Sequence, residues 1–122
     1  VVSYASSPAA EVIYASTPLT EAPTASITAP GTCFRQVEFV GILKGTKQRA
    51  LAQAFVDFML DVDFQEDMPL QMFVYPVNMD AGLPEEFTLY TQMAISPAIL
   101  DMDTIDANRE KWIQAWTEVM LK

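Results

Sequence analysis

The chain has 122 residues, 51% of them hydrophobic, and its 7 basic and 16 acidic side chains give a formal charge of −9. This length allows one domain with a core, and so many apolar residues exclude an intrinsically disordered chain. An acidic chain without a basic cluster argues against binding to a nucleic-acid backbone. A single cysteine, Cys33, and the absence of histidine exclude a disulfide framework and the usual zinc and triad chemistries.

The first segment predicts the end of a strand over residues 1–4, followed by a short helix over residues 8–15. Ser7 is a good N-cap, and the proline after it suits the first helical position, where its missing N–H costs nothing. A helix start flanked by the Ser6 and Ser7 hydroxyls can hold a phosphate or a carboxylate, and Tyr4 could face the same ligand. Taken alone, the segment favours a simple helix cap over a ligand site, since Ser-Pro helix starts are common.

The middle of the chain contains the clearest predicted strand. Residues 16–32 are rich in Ser, Thr, Pro and Ala and predict a loop or an extended connection. Residues 34–43 then place Val37, Phe39 and Leu43 on one face, while the other face begins polar and becomes apolar. This pattern predicts a strand that enters a sheet from a surface or cleft.

A helix is predicted over residues 47–60, with Thr46 as its N-cap. A second short helix or turn is predicted around residues 64–67 and should stop at Pro69. The apolar residues that recur at helical spacing in the first of these helices are Leu51, Ala54, Phe55, Phe58 and Met59.

Residues 70–77 (LQMFVYPV) predict a strand or an extended buried loop. Alternation places Phe73 and Tyr75 on one face together with Gln71. The two rings could form an aromatic wall for a flat or cationic ligand, and the alternative is an ordinary core. A face that includes a glutamine is more polar than a core needs, which favours a cleft.

The last third predicts turns over residues 78–86, a loop or short helix over residues 87–95, and a final helix capped by Asp103 or Thr104. The apolar stripe of the final helix consists of Ile105, Trp112, Ile113, Trp116, Val119 and Met120. Acidic residues near its start lack the spacing of a calcium loop and are interpreted as capping charges. Cys33 has no histidine to serve as its base, so a catalytic role is not predicted.

Several segments occur in the order found in one known family. They resemble the C-terminal part of the thiamine-binding proteins of bacterial ABC importers, which are two-lobed, type II solute-binding proteins. The matching segments are SYASSPAAEVIY (3–14), CFRQVEFVGILKGTKQ (33–48), ALAQAFVDFML (50–60), FQEDMPLQMFVYPVN (64–78) and REKWIQAWTEV (109–119). Iron- and polyamine-binding relatives share the helix and the YPV sequence, whereas SYxxSPA followed by an aromatic before YPV points to thiamine.

The resemblance implies an α/β fold, namely the C-terminal part of a two-lobed type II periplasmic-binding-protein fold, incomplete as a lobe. Residues 1–32 would be the tail of the second lobe and the hinge segment, and residues 33–122 the C-terminal part of the first lobe with the final helices. The ligand of such a protein lies between lobes that close over it. A longer precursor with a signal peptide, and a periplasmic or extracytoplasmic location, are therefore expected.

The resemblance also implies ligand contacts. Tyr4 matches a tyrosine that lines the thiamine pocket, Ser7 matches a serine that can meet the phosphate of thiamine phosphates, and Phe73 stands where some members have a tryptophan. Ala10 replaces a further tyrosine of some relatives. The predicted ligand-binding residues are Tyr4, Ser6, Ser7, Phe73 and Tyr75. No catalytic residue, metal ligand or cofactor is predicted.

The predicted function is therefore binding of thiamine or its phosphates for a membrane permease, in concert with the N-terminal part of the same protein. The alternatives are another ligand on the same fold, such as a polyamine, an organic anion or iron, or a thiamine-degrading enzyme. Iron is disfavoured because the chain lacks histidine and Tyr4 has no neighbouring tyrosine. An incomplete lobe would expose strand edges, which predicts a segment-exchanged homodimer of the isolated chain.

Overall fold

A computed structural model describes residues 2–121, and Val1 and Lys122 lie outside the described residues. The helices, in chain order, are α1 (Ser7–Ile13), α2 (Arg49–Met59), α3 (Val62–Met72), α4 (Glu85–Tyr90) and α5 (Met102–Met120). Across residues 2–121 no sheet forms, and the β-pairing is an isolated parallel bridge between Phe34 and Ala98. None of the helices in that range is long and apolar enough to cross a membrane.

The predicted α/β fold, as the C-terminal part of a two-lobed type II binding protein, is wrong for this structure. Residues 34–43 form no strand beyond the isolated bridge at Phe34, and residues 2–4 of the predicted first strand form none either. A strand is stabilised by backbone hydrogen bonds to a neighbouring strand. Beside this segment there is a backbone hydrogen bond from the Ala98 N–H to the Cys33 carbonyl at 2.7 Å, which accompanies the isolated bridge. The alternation is present, but the described chain supplies no second strand to pair with it.

The core of the structure lies where α1 packs against α4. Ala9 of α1 is 0% exposed and Phe87 of α4 is 1% exposed. The predicted first helix is confirmed as Ser7–Ile13, which begins one residue and ends two residues earlier than expected. The predicted N-cap Ser7 is wrong: Ser6 occupies that position, and its side chain makes no cap bond because its hydroxyl donates to the Phe73 carbonyl.

Helix α3 continues past the proline that was predicted to stop it. Pro69 lies inside the last turns of Val62–Met72, and its ring is fully buried. A proline in a helix removes one backbone hydrogen bond. The ladder resumes at once, since the Phe73 N–H donates to the Pro69 carbonyl at 3.2 Å. Residues 70–72, predicted as strand or loop, are therefore helical.

Helices α2 and α5 form where they were predicted, and neither buries a residue. The N-cap of α2 is Gln48, so the predicted N-cap Thr46 is wrong, and the helix begins two residues later than expected. At the start of α5 the N-cap is Asp101, not Asp103 or Thr104 as predicted, and its Oδ2 accepts the Thr104 N–H at 2.9 Å. The predicted short helix in residues 87–95 is α4, which begins at Glu85. The spacing of apolar residues thus predicted α2 and α5, but it did not predict which residues cover their apolar faces.

The molecule exposes an unusually large surface for its mass. Its accessible surface is 9998 Å², whereas a compact monomer of this mass would expose about 6,600 Å². Much of the excess is apolar: Phe39 of residues 34–43 is 92% exposed and Trp116 of α5 is 51% exposed. Residues 34–43, α2 and α5 therefore expose apolar side chains that the other described residues do not cover.

Candidate ligand-binding site

The start of α1 meets the end of α3, although the two lie far apart in sequence. The Ser6 hydroxyl donates to the Phe73 carbonyl at 2.6 Å, across 67 positions of the chain. Ser6 is 3% exposed, so this hydrogen bond is shielded from water. Two of the predicted ligand-binding residues are therefore in direct contact.

Phe73 occupies a sharp bend directly after α3. Its backbone is left-handed, with φ at 57°, and among the described residues it is the single non-glycine with positive φ. The Tyr14 ring contacts the Phe73 ring edge to face, with centroids 5.5 Å apart. The Tyr14 hydroxyl donates to the Leu70 carbonyl at 2.8 Å, which fixes Tyr14 against the last turn of α3.

Tyr4 and Ser7 lie at the outer side of the α1 start. Tyr4 is exposed, and its carbonyl accepts the Ser7 N–H at 3.1 Å. The Ser7 and Ser3 hydroxyl oxygens are 2.7 Å apart on the surface. Because the Ser7 N–H is already bonded and Pro8 has none, the hydroxyls of Ser3 and Ser7 are the polar groups that this end of α1 offers to a ligand.

Tyr75 packs against α4. Its hydroxyl donates to the Thr91 hydroxyl at 2.6 Å, and its ring meets the Phe87 ring edge to face at 5.8 Å. Thr91 in turn donates to the Phe87 carbonyl. Tyr75 therefore contacts the core at Phe87, and its predicted ligand role stays a prediction.

Tyr14 and Ser3 belong to this site but were not predicted from the sequence. Tyr14 follows Ser7 by seven positions, which is two helical turns and therefore the same face of α1. That spacing is a signal in the sequence that could have placed Tyr14 beside the predicted site. The contact with Phe73 itself depends on the path of α3, which no local pattern predicts.

The residues at the start of α1 and the end of α3 form one cluster, which consists of Ser3, Tyr4, Ser6, Ser7, Tyr14 and Phe73. Other features of the structure involve other residues. An apolar groove runs between residues 40–46 and α2, and none of the predicted ligand-binding residues lines it. Cys33 is half-buried, and its thiol donates to the Ile27 carbonyl at 3.3 Å. In residues 2–121 the acidic and cysteine side chains form no group of three or more that could hold a metal ion.

Two curated proteins are similar in sequence to this chain. The thiamine-binding periplasmic protein of Escherichia coli is 32% identical over 83 residues, which are 68% of this chain and 25% of that protein. Its counterpart from Salmonella typhimurium is 31% identical over 83 residues, with the same coverage. The predicted resemblance to thiamine-binding proteins is confirmed.

The similarity to thiamine-binding periplasmic proteins has a limited extent. The chain spans about a quarter of the length of the curated relatives it matches. No protein-family model matches the chain, and no solved structure does. Both relatives are named as binding proteins rather than enzymes, and both are named as periplasmic.

Proposed function

We propose that this chain is part of the substrate-binding component of an ABC importer and that it binds thiamine or its phosphates. Its similarity to two thiamine-binding periplasmic proteins supports the ligand. The observation that carries the proposal is the hydrogen bond from Ser6 to Phe73. It joins the two segments, SYxxSPA and the aromatic before YPV, that the resemblance assigns to thiamine.

The chemistry of the cluster suits thiamine. The thiazolium ring of thiamine is a cation and its pyrimidine ring is flat, so both are attracted to aromatic faces. The proposed aromatic contacts are Tyr4 and Phe73. The Ser7 hydroxyl, paired with that of Ser3, is the proposed contact for a phosphate. Ser6 and Tyr75 have hydroxyls that are already hydrogen-bonded within the protein.

The proposed role is binding and delivery without chemistry. Both similar proteins are named for binding, which favours a binder over a thiamine-degrading enzyme. Their periplasmic names support a location outside the cytoplasm, where the loaded binder would dock on a membrane permease. The remaining pocket groups would come from the rest of a longer protein, since the similar region is a quarter of each relative.

Isothermal titration of the protein that contains this chain with thiamine tests the proposal. We expect saturable binding at micromolar ligand, and Phe73→Ala should raise the dissociation constant about tenfold because it removes an aromatic face. Phe55→Ala is the matched control, since Phe55 is an exposed aromatic of α2 outside the cluster. Saturation by a polyamine or ferric iron without thiamine binding would overturn the ligand.

For the isolated 122-residue chain, the proposed partner is a second copy in a segment-exchanged homodimer. The exposed apolar side chains of residues 34–43, α2 and α5 support it, because large apolar patches of this kind are normally covered. Light scattering coupled to size exclusion should give twice the 13.6 kDa chain mass. A clean monomer over the concentration range used would contradict the dimer.

A further inference from the structure

The backbone at Phe73 adopts a conformation that aromatic residues rarely take. Its φ of 57° lies in the left-handed region, where a side chain is crowded by the backbone. At the end of a helix this conformation is usually taken by glycine, which avoids the strain. Strained residues of this kind persist where the surrounding structure holds them, and they are frequent at ligand sites.

Both ends of α1 hold this bend in place. At the N-terminal end, the buried Ser6 hydroxyl donates to the Phe73 carbonyl at 2.6 Å. At the C-terminal end, the Tyr14 hydroxyl donates to the Leu70 carbonyl at 2.8 Å. The Tyr14 ring also lies 5.5 Å from the Phe73 ring, with a 73° angle between their planes. Backbone and ring of Phe73 are thus each fixed by a residue of α1.

We propose that Ser6 and Tyr14 are positioning residues that hold the Phe73 ring in its ligand-binding orientation. This inference rests on the proposed function, in which Phe73 contacts the cationic ring of the ligand. A ring fixed before the ligand arrives loses little conformational entropy on binding, so affinity increases without a further contact. Ser6 then acts through Phe73 and does not itself touch the ligand.

Substitutions at Tyr14 separate positioning from general stability. Tyr14→Leu removes the ring, and we expect the dissociation constant for thiamine to rise about tenfold. Tyr14→Phe keeps the ring and loses only the hydroxyl, and should recover most of that affinity. Tyr90→Phe is the matched control, because the Tyr90 hydroxyl also donates to a distant backbone carbonyl, that of Thr20 at 3.1 Å, without contact to Phe73. It should leave the affinity unchanged.

Phe73→Gly provides a second readout that a purely structural role would not give. Glycine relieves the left-handed strain, so we expect the melting temperature to stay the same or rise while thiamine affinity falls. The order of the Phe73 ring, measured by NMR relaxation of the selectively labelled ring, gives a readout that needs no ligand. We expect a fixed ring in the wild type and increased ring motion in Tyr14→Leu and Ser6→Ala.

The outcomes distinguish this inference from the proposed function. If the wild type binds thiamine and Tyr14→Leu binds it equally well, the positioning role is overturned and the proposed function stands. If the Phe73 ring is equally ordered in the wild type and in Tyr14→Leu, the positioning role is overturned whatever the ligand. If the wild type does not bind thiamine but the Phe73 ring loses order in the variants, the proposed function fails, while the positioning role of Ser6 and Tyr14 is supported.

Discussion

Two regions of the molecule differ in how they use their apolar residues. In the first, α1 packs against α4 and is hydrogen-bonded to the end of α3. The buried residues of the described chain are Ser6, Pro8, Ala9, Gln65, Pro69 and Phe87, and all of them except Gln65, which is in the first half of α3, lie in this region. In the second, residues 34–43, α2 and α5 carry many apolar side chains that remain exposed. Hydrophobic pattern alone therefore does not decide burial, because burial also requires a facing surface.

The candidate site lies in the first region, where neighbouring residues hold its side chains in place. A binding residue is effective when its surroundings fix it. Phe73 is held by a buried hydrogen bond and an aromatic contact, whereas Phe39 in the second region is almost fully exposed. The residues that are fixed before a ligand binds therefore lie where α1 meets the end of α3.

Removing one aromatic side chain from each region tests whether the two regions differ in their contribution to stability. Phe87→Ala should reduce the free energy of unfolding by about 3–5 kcal/mol, since the ring is fully buried. Trp116→Ala in α5 should reduce it by clearly less, because about half of that side chain is exposed. Denaturant unfolding of both variants measures the difference, and equal losses would contradict the division into two regions.

A smaller effect is expected at the cap of α5. Asp101→Ala removes the carboxylate that accepts the Thr104 N–H, and should destabilise the helix by about 1 kcal/mol. Far-ultraviolet circular dichroism should show fraying that is larger in this variant than in Asp103→Ala, since Asp103 is not the cap. The reverse order would show that the sequence prediction of Asp103 was right.

Local signals predicted the helices well and the sheet badly, for a physical reason. A helix satisfies its own backbone hydrogen bonds, so the spacing of apolar residues in α2 and α5 was sufficient. A strand at residues 34–43 depends on another strand, and the described chain has none beside it. Extension of α3 through Pro69 was also missed, because burial of the proline ring is a tertiary property.

The site was predictable in part. The resemblance named Phe73, the position of a hydroxyl beside the predicted helix start named Ser6, and the structure places the two residues in contact. The left-handed backbone at Phe73 has no signal in the sequence, since glycine would be the residue expected there. Tyr14 was missed because its role depends on contacts with α3 rather than on its neighbours in sequence.

Hydrogen–deuterium exchange with and without thiamine tests the central claim most directly. On the protein that contains this chain, we predict that saturating thiamine slows exchange in peptides covering residues 2–14 and 70–77, at the junction of α1 with the end of α3. Peptides covering residues 49–59 and 102–120, the exposed α2 and α5, should exchange at rates that the ligand does not change. Protection confined to α2 or α5, or no protection anywhere, would contradict the proposed site.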